Sequence, residues 1–183
     1  MPFNINDIRS SLSLDGSRPT MFMVEIVNPF NNSVTLQTPL LVKAASMPAR
    51  NLGVAEVPYF GRPIKLAGDA TYDPWQVVIL NDEDFLLKNA FEQWTHAINS
   101  PTGNIRANPG LGYKSNATVT QFAKTGDMIR QYTMNGIFPL QVGGIQLDWG
   151  ATNRVEEFGV VFSVDFWEPI ASSTGDGGIS QYP

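Results

Sequence analysis

The sequence predicts a mainly β protein in which two packed antiparallel sheets, a sandwich or small barrel, are flanked by one α-helix. The clearest strand signal runs from Phe158 to Phe166, where large apolar residues alternate with smaller or charged ones. The only helix signal is one apolar stripe at spacings of four, three and four. The stripe is formed by Leu87, Phe91, Trp94 and Ile98.

Other stretches have strand-like composition, and together they give six to eight predicted strands. They cover residues 21–27, 39–46, 72–80, 116–124 and 128–135. We expect a turn at residues 29–33 between the first two of these. The length of 183 residues fits a single domain over residues 1–183, with a polar arm at 1–18 and a flexible tail at 169–183.

Residues 47–70 form an extended apolar stretch that is repeatedly interrupted by proline and glycine. Proline has no backbone N–H to donate to a neighbouring strand, so it is disfavoured inside a central strand. Such a stretch is better placed at the edge of a sheet or in a hairpin that protrudes from it. We predict a hairpin arm in which VAEVPYF and PIKLA pair across Gly61-Arg62.

Start and stop signals lie at the two ends of the predicted helix. Asn81 or Asp82 is the expected N-terminal cap, and Glu83 and Asp84 suit the positive end of the helix dipole. The segment from Asn99 to Pro101 should end the helix.

Composition excludes several classes of function. The chain has no cysteine, so disulfides, zinc–thiolate sites and cysteine nucleophiles are excluded. A net charge of −5 disfavours nucleic-acid binding through contacts with the phosphates. No apolar run approaches ~20 residues, and the N-terminus lacks a basic start followed by an apolar run. We therefore expect no membrane anchor and a soluble chain in the cytoplasm when it is made.

Charged residues make up 16% of the chain, whereas soluble domains average about 25%. Buried interface is one explanation, because interface centres are depleted in charge. A surface rich in uncharged Ser, Thr, Asn and Gln is the other, and composition alone favours neither.

No motif in the chain predicts catalysis or a cofactor. The single histidine, His96, lies on the polar side of the predicted helix, and no ligand spacing supports a metal site. The segment GLGYKS at 110–115 fails as a phosphate loop because Tyr113 separates glycine from lysine. Aromatic residues in strands are more often core than carbohydrate platform. We expect no catalytic, cofactor-binding or metal-binding residues.

Two stretches resemble the tail tube proteins of contractile-tailed bacteriophages. In residues 65–85, an AGD turn leads into an aromatic-containing strand, and NDE precedes the helix. In residues 135–168, an NG-x-x-P segment precedes a QLDW turn and a strand that ends in Phe-Trp-Glu. The resemblance extends over about residues 18–168 in matching order and spacing.

This resemblance implies the phage tail-tube fold and a structural role without catalysis. Family members form hexameric rings that stack into a tube inside the contractile sheath and conduct the genome into the host. The implied partners are further copies of the chain, the tail sheath protein and the baseplate tube initiator. The tape measure protein and double-stranded DNA are expected in the lumen without sequence-specific binding. The implied location is the virion, after assembly in the host cytoplasm.

The tube architecture allows assembly residues to be predicted from strand alternation. We expect a polar lumen face at Thr118, Thr120, Gln131, Thr133 and Asn135. We expect inter-subunit contacts through the hairpin arm at Val54, Val57, Tyr59, Phe60 and Ile64. The helix stripe is expected to be structural.

Three alternatives stay open. The tube of a phage-like bacteriocin or secretion machine and the baseplate tube initiator would share this fold. A monomeric carbohydrate-binding β-sandwich belongs to a different class, and it would differ in remaining a monomer with a sugar-specific aromatic site.

Overall fold

A computed structural model describes residues 16–106 and 110–172, together with residues 5, 8 and 10. Two helices are described, α1 (Asn32–Leu41) and α2 (Leu86–Ile98). The strands are β1 (Phe22–Ile26), β2 (Val42–Ser46), β3 (Arg50–Tyr59), β4 (Arg62–Tyr72), β5 (Trp75–Leu80), β6 (Ser115–Phe122), β7 (Met128–Val142), β8 (Glu157–Ser163) and β9 (Phe166–Ser172).

The predicted pair of packed antiparallel sheets is confirmed. A first sheet has the order β1-β6-β7-β9 and a second has the order β7-β8-β5-β2, so that the long strand β7 belongs to both. β7 changes sheet near Gly136, whose φ of 66° lies in the left-handed region. Glycine suits this bend because it has no Cβ to clash there.

Alternating apolar residues of both sheets form the core. In the second sheet, the inward pairs of β5 and β8 are Trp75–Phe162, Val77–Val160 and Ile79–Phe158. The first sheet contributes Val24, Val119 and Met134, all buried. Helix α2 packs on this core through Phe91 and Trp94, whose rings lie 5.8 and 6.2 Å from that of Phe162.

The expectation of a single helix is wrong, because α1 occupies the segment predicted as a turn and the start of a strand. It contains Pro39, a residue that disfavours helix interiors, and its sequence shows no clear apolar stripe. Tertiary contacts hold this helix in place. Val34 and Thr38 are fully buried, and the Thr38 hydroxyl accepts a hydrogen bond from the Ile26 amide at 3.2 Å.

The predicted cap of the second helix is also wrong. α2 begins at Leu86 after Phe85, which has a φ of 52° and makes no side-chain cap. The Asp82 carboxylate instead accepts the Glu83 amide at 2.8 Å, and its carbonyl accepts the Phe85 amide at 2.9 Å. The acidic segment therefore stabilises a turn that precedes the helix, and it does not cap the first turn of the helix. The end at Asn99 agrees with the prediction.

The final predicted strand is two strands, because the chain changes sheet near Asp165. β8 lies in the second sheet, and β9 pairs with β7 in the first. β9 continues to Ser172, so residues 169–172 are not the start of the predicted tail. Residues 173–183 and most of the predicted N-terminal arm lie outside the described residues.

Candidate assembly surfaces

The first sheet brings all five predicted lumen residues onto one face. Residues that pair directly across an antiparallel ladder point to the same side. Thr118 pairs with Thr133, Thr120 pairs with Gln131, and Asn135 follows Thr133 at the strand period of two. We call this surface the polar face.

Two acidic residues on the polar face were missed by the sequence analysis. Glu25 of β1 pairs with Thr118, and Glu168 of β9 pairs with Thr133, so one row crosses all four strands. Both glutamates are exposed. Alternation within one strand cannot show which strand lies beside it, and only the register between strands reveals this row.

One hydrogen bond joins two side chains of the polar face. The Gln131 amide donates to the Thr120 hydroxyl at 3.4 Å, and Thr120 is only 5% exposed. Thr118, Thr133 and Asn135 are half-buried. The opposite side of the same strands carries the core residues Val24, Val119 and Met134, which fixes the polar face on the outside of the body.

The hairpin predicted for residues 47–70 is a separate two-stranded sheet of β3 and β4 that covers residues 50–72, and from here on the hairpin arm means these residues. Its register makes one face apolar, because Ala55 pairs with Leu66 and Val57 pairs with Ile64. The opposite face carries Val54 and the Glu56–Lys65 ion pair. The predicted arm residues are therefore divided, with Val57, Tyr59 and Ile64 on the apolar face and Val54 on the other.

Large apolar side chains of the arm are exposed to an unusual degree. Val54, Val57, Tyr59 and Ile64 are 47–62% exposed, and Phe60 at the turn is 93% exposed. Leu52 and Leu66 add two more exposed side chains that the sequence analysis did not single out. An apolar surface of this kind marks an interaction site.

Comparison with known proteins decides the family. The family model described as "Phage tail tube protein" matches residues 9–168. The tail tube protein of Enterobacteria phage T4 is 31% identical over 166 residues, which cover 90% of this chain and 99% of the phage protein.

The chain belongs to the phage tail tube protein family. The predicted resemblance is thereby confirmed. Two solved structures share the fold. A chain of the anti-feeding prophage baseplate has a TM-score of 0.63, 12% identity and coverage of 84% of this chain and 94% of its own length. A chain of the sheath–tube complex of an extracellular contractile injection system has a TM-score of 0.55, 11% identity and coverage of 91% and 97%.

The helix stripe of this tail tube protein lies against the core. Leu87, Phe91 and Trp94 are at most 3% exposed, and Ile98 is partly buried against the same cluster. The Trp94 indole donates to the Tyr113 carbonyl at 2.8 Å, which anchors the loop after the helix.

Among the residues described, no group of three or more His, Asp or Glu side chains lies close enough together to hold a metal ion. His96 is exposed on α2. The described part of the tail tube chain also contains no helix long and apolar enough to cross a membrane.

Two loops meet at the end of the second sheet where β5 finishes. The Asn81 amide group donates to the Glu156 carboxylate at 2.6 Å, and the Asn81 backbone amide donates to the Glu156 carbonyl at 2.8 Å. Beside them, Lys43 donates to Glu157 at 2.6 Å, and this bond lowers the pKa of the Glu157 carboxyl. The loop between β7 and β8, which these bonds hold at its end, displays Leu147 and Trp149, which are 85% and 103% exposed.

Proposed function

We propose that this protein builds the inner tube of a contractile phage tail by forming hexameric rings that stack head to tail, and that it has no catalytic role. The supporting observation is that a member of the tail tube family carries an apolar arm whose large side chains remain 47–93% exposed within the described part of its own chain. Burial between copies would also account for the low charge content.

The first sheet offers a route to ring closure. β1 and β9 are its two edges, since each pairs with one strand in the described part of the chain. Unpaired edges are templates for pairing with another chain. Because the four strands alternate in direction, β9 of one copy beside β1 of the next would continue the antiparallel order. We infer that six copies close the sheet in this way.

A sheet closed in this way would line the channel with its polar face. The neutral amides and hydroxyls bind phosphate weakly, and Glu25 and Glu168 repel it. DNA would then pass without being held. Gln131→Cys and Glu25→Cys should react with a bulky maleimide much more slowly in tubes than in dispersed subunits. Equal rates in both states would place this face on the outer wall.

The partners follow from a position inside a contractile tail. We propose contacts with the tail sheath protein outside, the tube initiator of the baseplate at one end, and the tape measure protein and double-stranded DNA inside. Assembly would take place in the host cytoplasm, and the mature location would be the virion.

Negative-stain microscopy of the purified full-length protein tests the proposal. We expect six-fold rings or hollow tubes at high protein concentration and moderate salt. A strictly monomeric protein, on size-exclusion chromatography with light scattering, would contradict it. Immunogold labelling of contracted phage tails along the whole exposed tube, rather than at the baseplate alone, would separate the main tube from a tube initiator.

A further inference from the structure

The tip of the hairpin arm carries an aromatic residue in a backbone conformation that aromatic residues avoid. Phe60 and Gly61 form the two-residue turn, with φ of 40° and 83°, between the paired Tyr59 and Arg62. Turns with two positive φ values favour Asn-Gly, and a bulky residue there is strained. Strain of this kind clusters at functional sites. Phe60 is nevertheless 93% exposed, so its ring is not retained to fill its own core.

A cleft at the opposite end of β5 is large enough to receive such a ring and has two exposed apolar residues at its wall. The arm joins the body just before Trp75, where β5 starts, whereas the cleft lies beyond Leu80, where β5 ends. The cleft has a volume of about 440 Å³, and Leu147 and Val155 are its exposed apolar residues. The rest of its lining is mostly polar and includes Arg154 as well as Asp148 and Glu156. A second recess of about 310 Å³ shares Val155 and Glu156 with it.

The two ends also differ in charge. Acidic residues cluster at and beside the cleft: Asp82, Glu83, Asp84, Asp148 and Glu156. Within the described residues none of these five forms an ion pair, although Arg154 and Lys43 neutralise Glu157. At the arm tip, Arg62 likewise lacks a carboxylate partner among the described residues, and Lys65 faces Glu56 at 3.7 Å. A cationic tip therefore matches an acidic cleft.

We propose that Phe60 of one copy seats in the cleft beneath residues 143–156 of the copy stacked on it, with Arg62 beside Asp148 or Glu156. This inference rests on the proposed head-to-tail stacking. Stacking of that kind joins opposite ends of the subunit and needs two different, complementary surfaces. A desolvated aromatic anchor with charged residues at its rim is the usual composition of an interface centre.

Disulfide cross-linking tests the pairing directly, because the natural chain has no cysteine. Tubes of an Arg62→Cys, Asp148→Cys variant, which keeps the Phe60 ring, should give a ladder of bands that continues beyond six copies when they are oxidised after assembly. The control is Arg62→Cys with Leu40→Cys, since Leu40 on α1 is 83% exposed and lies outside the proposed contact. It should give no ladder.

The other outcomes of this experiment separate failure of the axial contact from failure of the proposed function. Tubes that form but do not cross-link through Asp148 would overturn the axial contact and leave the tube function standing. A ladder that stops at six copies would show that the arm lies within one ring, which also overturns it. Absence of rings and tubes from the unmodified protein would overturn the proposed function itself.

A second variant separates anchoring from turn formation. Phe60→Asn places a favoured residue at the positive φ, so subunit stability should be unchanged or higher. Tubes should nevertheless be lost, with at least a tenfold fall in sedimentable protein. Retained tubes in Phe60→Asn would contradict the anchoring role. Leu40→Ser is the matched loss of an exposed apolar side chain, and it should retain tubes.

Discussion

Gly136 is the residue at which β7 passes from one sheet to the other. Its φ is 66°, and a Cβ built there would lie 2.6 Å from the Asp165 carboxyl carbon. Asp165 is held by Lys114 at 2.8 Å and donates its backbone amide to the Asn135 carbonyl at 3.1 Å. We expect Gly136→Ala to lower the free energy of unfolding by about 1–3 kcal/mol, since both backbone strain and a clash arise.

Urea unfolding of dispersed subunits measures this change. Gly112→Ala is the matched control, because no atom lies within 4 Å of its added Cβ and its φ is not in the left-handed region. An equal effect of both substitutions would show that the bend does not depend on glycine at position 136.

Trp94 and His96 lie two residues apart on α2, and truncation should lower subunit stability strongly at Trp94 and hardly at all at His96. Trp94 is fully buried beside Phe91 and Phe162. Trp94→Ala should cost about 3–5 kcal/mol of subunit stability, as for other buried aromatics. His96→Ala, at an exposed position, should stay within about 0.5 kcal/mol. Loss of tubes by a normally folded His96→Ala protein would instead place the histidine in an interface.

At the scale of elements, the arm is joined to the body through a well-defined root. The Asp73 amide donates to the Ala49 carbonyl at 3.1 Å, the Asn51 side chain donates to Asp73 at 2.8 Å, and the Tyr72 ring lies 6.2 Å from that of Trp167. Replacing residues 54–67 by a short Gly/Ser link should keep this root and the fold but abolish tubes. Circular dichroism and microscopy check the two parts. Unfolding would make the arm part of the core, and surviving tubes would make it dispensable for assembly.

The elements that sequence could predict are those with a strong local signal. Gly61 and the prolines around it indicated a protruding hairpin, and the stripe that ends at Ile98 indicated α2. α1 has no such signal, because its conformation depends on the burial of Val34 and Thr38 against the sheets. The start of α2 was missed because Asp82 satisfies two amides of the preceding turn instead of capping the helix.

Of the candidate surfaces, the arm was predictable from composition and the polar face only in part. Alternation identified the separate residues, such as Thr118 and Thr133, but their pairing depends on the register between strands that are distant in sequence. Glu25 and Glu168 come from the two ends of the described chain, so no local pattern connects them. The cleft likewise forms from two loops, around Asn81 and around Glu156, that meet only in the folded chain.

For the whole molecule, the low charge content is now better explained by interfaces than by a polar surface alone. Exposed apolar side chains are spread over three separate regions, represented by Phe60 on the arm, Trp149 on the loop between β7 and β8, and Leu111 on the loop after α2. A monomer would expose all three, whereas a subunit with neighbours on several sides can bury them. The pattern therefore fits a closed and stacked assembly more closely than a dimer with one patch.

The charge of the polar face leads to the last prediction, which concerns passage of DNA. Each lysine or arginine on a channel wall would add a salt-dependent phosphate contact and so retain DNA. On the polar face, the five predicted lumen residues are uncharged, and Glu25 and Glu168, which the register adds to them, are acidic. Wild-type tubes should therefore show no gel shift with duplex DNA near physiological salt. Tubes of Glu25→Lys, Glu168→Lys should bind DNA, and the binding should weaken steeply as salt increases.

The matched control for this experiment is Glu92→Lys, Asp69→Lys, which makes the same change in charge on α2 and on the arm. A closed wall with one sign of charge concentrates its field within the channel, whereas charges on an outer surface are screened within about 10 Å at 0.1 M salt. We therefore expect the control tubes to bind much less DNA than the lumen variant. Equal binding by both variants, or binding by wild-type tubes, would mean that the polar face does not line the channel, and ring closure through β1 and β9 would then have to be abandoned.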